Sequence, residues 1–301
     1  MPEPDRNGIP QPTAPRPPCR VGLIGRGIQE SKSPAMHRAE AASQGFELTY
    51  ELLDLDQRGL EDGALPQLLE EAESRGFAGL NITYPCKQSV IPLLDKLSEE
   101  AQTIGAVNTV QFQGGRRIGY NTDAWGFEES FRRGMPGAAL DRVLQVGGGG
   151  AGAATAFALL RLGVRRLTLL DVVPERARAL AATLERHFEV CDVRAGGDLE
   201  QVLGESDGVL NATPIGMAKH PGSVVPAASL RPGLWVADIV YFPLRTQLLR
   251  EAHAAGCRTL DGSGMAIFQA ARAFEIFTGR VADTERMRRQ FSVLGMSPTG
   301  S

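Results

Sequence analysis

Four consecutive glycines, Gly147 to Gly150, restrict the fold of this 301-residue chain more than any other feature, because of what flanks them. RVLQV, ending at Val146, reads as a strand, AGAATAFALL from Ala151 as a helix of small residues, and RLTLLD, ending at Asp171, as the next strand. Gly147, Gly149 and Gly152 satisfy GxGxxG inside this β-α-β unit. The backbone there must turn tightly, approach a pyrophosphate closely, and leave the N–H groups of the helix start at Gly150 and Ala151 pointing at phosphate oxygens. A flexible glycine linker is the bland alternative, and the flanking elements weigh against it. Asp171 stands at about the distance where a carboxylate grips the adenosine ribose hydroxyls. It would also repel the extra phosphate of NADP, so NAD is the expected cofactor. Arg176 and Arg178 could meet such a phosphate, although exposed charges on a helix opening at Pro174 is the simpler reading.

The rest of the chain alternates short apolar runs with amphipathic segments, so the expected class is α/β: an N-terminal α/β substrate domain plus a Rossmann-type, doubly wound nucleotide-binding domain. Residues 1–19, crowded with prolines, read as a disordered tail. Residues 20–123 form the expected catalytic domain, 124–264 the nucleotide domain, and helices within 265–297 return to cover the first. In detail, a strand at Val21 to Gly25 precedes a helix with Ser33 as N-cap and Pro34 at N1, closed by Gly45. A strand within Phe46 to Leu55, a helix from Leu65 to Arg75, a strand ending at Thr83, helical turns from Lys87 to Gly105 and a hairpin on Gly114 and Gly115 follow. Later elements are a helix from Pro174, strands at EVCDV, DGVLNAT, LWVADIV and CRTLDG, and helices at 244–255, 265–277 and 283–294.

With 43% hydrophobic and 22% charged residues the chain is a soluble globular type. Its net charge of -3, without blocks of one sign, recommends neither nucleic acid nor an anionic membrane as partner. The uncharged stretch Val143 to Leu160 contains five glycines and is a poor candidate for a spanning helix. Cys19, Cys86, Cys191 and Cys257 are far apart and form no CxxC pair, which indicates neither zinc nor a disulfide framework and fits a cytoplasmic setting. A homodimer is compatible with the sequence, which does not fix the assembly.

Chemistry concentrates in NITYPCK (Asn81 to Lys87), GAVNT (Gly105 to Thr109) and NTD (Asn121 to Asp123). An ammonium, a carboxylate, amides and hydroxyls are what is needed to hold and deprotonate a small polyhydroxylated molecule. Lys87 follows Pro85 at a strand's carboxyl end, where ligands sit in open α/β sheets. Alone it would be a solvated surface lysine, and Asp123 alone an N-cap for AWGFEESFRRG. Together at a cleft they can relay a hydroxyl proton while hydride leaves the same carbon. Ser31 and Ser33, beside a helix N-terminus, make a seat for a substrate carboxylate as well as capping groups. His37 reads as a packed histidine, and no spacing suggests a metal site.

SKSPAMH, GLNITYPCKQ, GAVNT, GYNTDAWGF, VGGGGAGAA, NATPIGM, DIVYFPLRTQLL and DGSGMAIFQAARAF, in this order, resemble the shikimate dehydrogenase family over nearly the whole chain after the tail. GLIGRGIQESKSPAMHRAE is more similar to the NAD-preferring quinate/shikimate branch; NADP-dependent members carry an Asn-Arg-Thr-like stretch where this chain has LLDVVPER. The resemblance implies that Lys87 and Asp123 are the catalytic pair and that Ser31, Ser33 and Tyr241 surround the substrate carboxylate. It implies that Thr83, Asn108, Asp123 and Gln269 hold ring hydroxyls, and that Thr213, Met217, Gly264 and Met265 lie on the cofactor side. The implied reaction is reversible oxidation of the C3 hydroxyl of shikimate or quinate. Two departures are Cys86, where the family often has an aromatic residue, and Ser33, where the quinate-using branch often has threonine. A paralogue acting on a modified, for example aminated, acid and a non-catalytic nucleotide-binding module are the rival readings.

Overall fold

The computed structural model describes residues 18–295. Most of the expected tail, residues 1–17, lies outside them, and its last residue opens the first strand. β1 (Cys19–Gly25), β2 (Leu48–Asp54), β3 (Gly79–Ile82), β4 (Lys96–Leu97), β5 (Thr109–Gln113) and β6 (Arg116–Tyr120) form one sheet in the order β2-β1-β3-β5-β6-β4. β1 pairs in parallel with β2 and β3, while β5 and β6 are the expected antiparallel hairpin. Its helices are α1 (Ser33–Ser43), α2 (Leu65–Ser74), α3 (Cys86–Ser89) and α4 (Glu99–Ile104), and α5 (Thr122–Gly134) leads out of it.

The second sheet contains β7 (Arg142–Val146), β8 (Arg166–Leu170), β9 (Asp192–Ala195), β10 (Gly208–Asn211), β11 (Trp235–Asp238) and β12 (Arg258–Leu260). All its pairings are parallel and its order is β12-β11-β10-β7-β8-β9. This is the doubly wound arrangement, whose strand order reverses between β7 and β10 and opens a crevice at their carboxyl ends. α6 (Gly150–Arg161), α7 (Pro174–His187), α8 (Leu199–Glu205) and α9 (Gln247–Ala254) connect these strands. α10 (Ser263–Thr278) and α11 (Thr284–Gly295) return to the first sheet, where Ile267, Phe274, Phe277, Met287 and Phe291 join Val21, Leu23, Met36 and Tyr50 in one core. Among the described residues, no helix is long and apolar enough to cross a membrane.

α5 and α10 meet almost backbone to backbone. A Cβ on Gly126 would lie 2.8 Å from both the Met265 carbonyl oxygen and the Gln269 nitrogen, and one on Gly264 would lie 2.1 Å from the Ser130 hydroxyl. The core that includes Ala106, Ala124, Phe127 and Phe131 continues into Ala153, Phe157 and Trp235, so α5 joins the two sheets.

Several local expectations need correction. Ser33 is the first helical residue of α1 and does not cap it: Lys32 stands at the cap without a side-chain bond, and the Ser31 hydroxyl accepts from the Ser33 N–H at 3.4 Å. The stretch after Lys87 contains a short strand, β4, which pairs with β6. β9 begins only at Asp192, because α7 runs to His187, and α9 starts at Gln247 behind the capping hydroxyl of Thr246. α8, capped by Asp198, is too short to have left a periodic signal.

His37 is packed, as its sequence context suggests. It is 0% exposed, lies 5.0 Å from the Tyr50 ring centroid and near Phe274 and Phe277, and neither ring nitrogen has a hydrogen-bond partner. Burial lowers its pKa from 6.5 to about 3. Only the unfolded chain takes up this proton between those values, so stability is unaffected above pH 6.5 and falls as pH drops below it. At pH 5 the loss from this one group is about 2 kcal/mol. Chemical denaturation of the wild type and His37→Leu across pH 8 to 4 should show a shallower acid slope in the variant; parallel slopes would contradict the assignment.

Candidate active site

Lys87 lies in the single turn α3, and its backbone carbonyl accepts from the Val107 N–H at 2.8 Å. Asp123 lies in the first turn of α5. Asn121, not Asp123, caps that helix: its side-chain oxygen accepts from the N–H groups of Asp123 and Ala124, and its amide donates to the Ala106 carbonyl. The cap being supplied elsewhere, the Asp123 carboxylate is available to Lys87, and the two meet at 2.5 Å. Their side chains are 18% and 8% exposed, so the pair is largely shielded yet reachable. Preceding Lys87, Cys86 is fully buried in the first sheet's core and burial pushes its thiol to about 11. The departure at that position is therefore one of packing, and the thiol is held in its unreactive form.

Behind the pair runs a buried polar chain. The Tyr50 hydroxyl donates to Asn81 at 2.9 Å, Asn81 donates to Thr109 at 3.1 Å, Thr109 donates to Asn108 at 3.1 Å, and Asn108 both donates to the Thr122 hydroxyl and accepts from its N–H. Asn108 and Thr109 are thus more than turn residues: they fix the backbone beside Asp123. Thr83 and Gln269 are half-buried, and Gln269 donates to the carbonyl of Ala266. Ser31 and Ser33 lie on the loop and first turn between β1 and α1, while the intervening Lys32 turns its ammonium onto the Phe291 ring, 4.1 Å from its centroid. Tyr241 is 41% exposed, with its ring 6.2 Å from that of Phe291; burial raises its phenol pKa, and the charge of Asp123 adds to that.

The glycine loop is pinned by a buried polar residue in the strand that precedes it. Gln145, 0% exposed, donates to the carbonyls of Gly147 and Gly152 and accepts from the Thr155 hydroxyl. α6 starts at Gly150 with no side-chain cap and no acidic residue in its first turn, so its free N–H groups and positive end are unopposed, which fits a pyrophosphate. Asp171 accepts from the Gly148 N–H at 2.7 Å and the Val173 N–H at 2.8 Å, tying the loop to the end of β8. Its acceptor sites are not exhausted by two donors. Across the crevice, Asn211 accepts from the N–H and hydroxyl of Thr213 and donates to Asp238, which also accepts from Val240 and Thr246. Tyr50, Asp54, Gln145, Asn211 and Asp238 escaped the sequence reading; what could have found them is a lone polar residue within or closing an apolar strand.

The two clusters meet. A Cβ on Gly150 would lie 3.7 Å from Lys87 Cδ, so the start of α6 stands beside the aliphatic stem of Lys87. Met265 and Gln269 lie against Gly126, one turn beyond Asp123. Met217 is 41% exposed on the crevice loop after β10, whereas Gly264 turns its bare face to Ser130 and so serves the α5–α10 contact. Among the described residues, no group of three or more histidine, cysteine, aspartate or glutamate side chains could hold a metal ion.

The sequence pattern of the shikimate dehydrogenase substrate binding domain matches residues 23–110, and that of the shikimate 5'-dehydrogenase C-terminal domain matches residues 262–290. A shikimate dehydrogenase (NADP(+)) of Streptomyces avermitilis is 55% identical over 271 residues, 89% of this chain and 92% of the relative. A quinate/shikimate dehydrogenase (NAD(+)) of Corynebacterium efficiens is 47% identical over 275 residues, 90% of this chain and 96% of the relative. The solved quinate dehydrogenase from Corynebacterium glutamicum in complex with NAD superposes with a TM-score of 0.86 at 44% identity, covering 92% of this chain and 99% of that one. With two family patterns in place and such relatives matched over about nine-tenths of its length, the chain belongs to the shikimate dehydrogenase family.

Proposed function

We propose that this chain catalyses the NAD-dependent, reversible oxidation of the C3 hydroxyl of shikimate, quinate or both, giving 3-dehydroshikimate and 3-dehydroquinate. The observation that carries this reading is the shielded Lys87–Asp123 pair, whose lysine stem stands beside the glycine loop at Gly150. Nicotinamide, when bound, supplies the hydride acceptor. Lys87 and Asp123 take the hydroxyl proton in the oxidation direction; in reduction the ammonium returns it to the developing alkoxide. Ser31, Ser33 and Tyr241 hold the substrate carboxylate, and Thr83, Asn108, Asp123 and Gln269 orient the ring hydroxyls. Gly147, Gly149, Gly150, Ala151 and Gly152 cradle the pyrophosphate. Thr213, Met217, Gly264 and Met265 belong to the nicotinamide side, Gly264 through its backbone. The four cysteines are unpaired, which suits a reducing, cytoplasmic setting.

NAD is favoured by Asp171, whose carboxylate would oppose a 2'-phosphate. NADP is the rival, supported by the name of the Streptomyces avermitilis relative and by Arg176, whose backbone lies 3.5 Å from where a Gly148 Cβ would stand. Initial rates on shikimate and quinate, each with NAD and NADP, decide both questions: turnover with NAD on either acid is expected. Turnover with NADP alone would overturn the role given to Asp171, and silence in all four mixtures would overturn the substrate class.

Lys87→Ala should lower kcat by about 10²-fold or more while NAD affinity, read by fluorescence titration, stays within about threefold. Near-normal turnover would remove Lys87 from the proton transfer. In Gly152→Ala the new Cβ would lie 2.2 Å from the Gly147 carbonyl oxygen, so the loop must open. The cofactor KM should rise about tenfold or more with substrate binding retained; an unchanged cofactor KM would contradict the cradle.

A further inference from the structure

Asp54 closes β2 and is 1% exposed, yet it lies among none of the groups assigned to chemistry or binding above. Its two oxygens accept four hydrogen bonds. Oδ1 takes the N–H of Gly27 at 3.0 Å and that of Asp56 at 3.1 Å; Oδ2 takes the N–H of Ile28 at 3.0 Å and the Gln29 side-chain amide at 2.8 Å. Three of those donors belong to the loop that runs from β1 to α1 and carries Ser31. Burial alone would raise the carboxyl's pKa, but the bonds from Gln29, Gly27, Ile28 and Asp56 outweigh it and leave the pKa lowered. The group is held as the anion.

The connection continues to the serines. Ile28, whose N–H is fixed by Asp54, returns its carbonyl to the Ser31 N–H at 3.0 Å, and the Ser31 hydroxyl in turn accepts from the Ser33 N–H. The loop's other edge is bound to the segment that follows β3 and carries Thr83: Arg26 N–H donates to the Tyr84 carbonyl at 3.0 Å, and a Cβ on Gly25 would lie 2.3 Å from Thr83 Cγ2. Leu55, next to Asp54, donates its N–H to Gly25 at 2.9 Å. Gly27 itself has φ of 65°, a conformation that favours glycine, and its N–H is taken by Asp54. Without Asp54, the buried Ile28 N–H would lose its acceptor, and Gly27 and Gln29 would lose the anchor they share with it.

We propose that Asp54 is a positioning residue for the substrate carboxylate: it sets the loop that places Ser31 and the start of α1, and acts on the substrate only through them. This rests on the reading of Ser31 and Ser33 as the carboxylate seat. A carboxylate is required, because all four partners donate. Asparagine offers one carbonyl oxygen and would turn an NH₂ toward the Ile28 N–H. Alanine would remove the acceptor from all four and leave the buried Ile28 N–H without a partner.

The test compares the wild type, Asp54→Asn and Gln29→Met, the latter removing one of the four donors from an exposed side chain. In Asp54→Asn the KM for the acid substrate should rise about tenfold or more, with kcat and the KM for NAD within about threefold. With the substrate's methyl ester, which lacks the anion, the change should be much smaller. Gln29→Met should shift the acid KM in the same direction by about twofold to fourfold. Amide hydrogen exchange read by mass spectrometry, which needs no substrate, should quicken over residues 26–33 in Asp54→Asn. An acid KM that stays put, an ester KM that rises equally, or unchanged exchange over 26–33 would overturn the proposal. Should Asp54→Asn fail to fold, unchanged acid KM and loop exchange in Gln29→Met would do so. If the wild type turns over neither acid, the functional reading fails, while loop exchange still decides the role of Asp54.

Discussion

The cleft depends on how α5 is held. This helix leaves the first sheet with its N-terminus fixed by Asn121, which is itself bonded to Ala106 beside the lysine turn. One turn later it presents Gly126 to α10, where any side chain would collide with backbone. Next, Glu128, 1% exposed, pairs with Arg132 and Arg161, and Arg161 also pairs with Glu100 of α4. A buried carboxylate of this kind is a costly element unless it is paired. Here it ties the bridging helix to α6, the helix that begins at the glycine loop. The separation between Lys87 and Gly150 is thus set by α5 packing on both neighbours.

Each sheet also ends in a buried carboxylate that organises the loops facing the cleft. Asp54 closes β2 and gathers the β1–α1 loop; Asp238 closes β11 and gathers Val240, Thr246 and, through Asn211, Thr213. Their environments differ. Asp54 accepts only from N–H donors, whereas Asp238 has a hydroxyl among its partners. Burial raises the Asp238 carboxyl to about 6, against the pull of its bonds from Val240, Thr246 and Asn211. In both cases a loop that must be irregular to meet a ligand obtains its backbone partners from one short side chain, and the sheet supplies the rigidity.

What the sequence made legible follows from how local each signal is. The β-α-β unit around Gly147 is legible because strand, turn and helix start are contiguous, and the parallel character of the second sheet follows from the alternation of strands and helices. Lys87 and Asp123 could be singled out because their polar company is written beside them in NITYPCK and NTD. Asp54 and Asp238 were illegible because their partners come from other segments: an aspartate closing a strand looks the same whether it caps, turns or anchors. The misplaced cap at Ser33 has a similar cause. Propensity favours serine at the cap, but Ser31 and Lys32 precede it on a loop whose course is dictated by Asp54, and tertiary bonds move the helix start by one residue.

The same separation between core and loop explains how one frame can serve relatives named for different cofactors. The residues that make the frame, Gln145 under the glycine loop, Gly126 against α10 and the apolar strands, are buried and respond to substitution through packing and unpaired polar groups. The segment after β8 is different: Val172 is 92% exposed, Arg178 pairs with Glu175 on the surface, and Asp171 bonds to Gly148 and Val173. Exchanging such residues disturbs little of the fold, so relatives near half identity, one named for NADP and one for NAD, can share the frame. On the reading proposed above, discrimination between these cofactors is a local charge question at Asp171 and Arg176, and such a question leaves no mark on the sheets beneath.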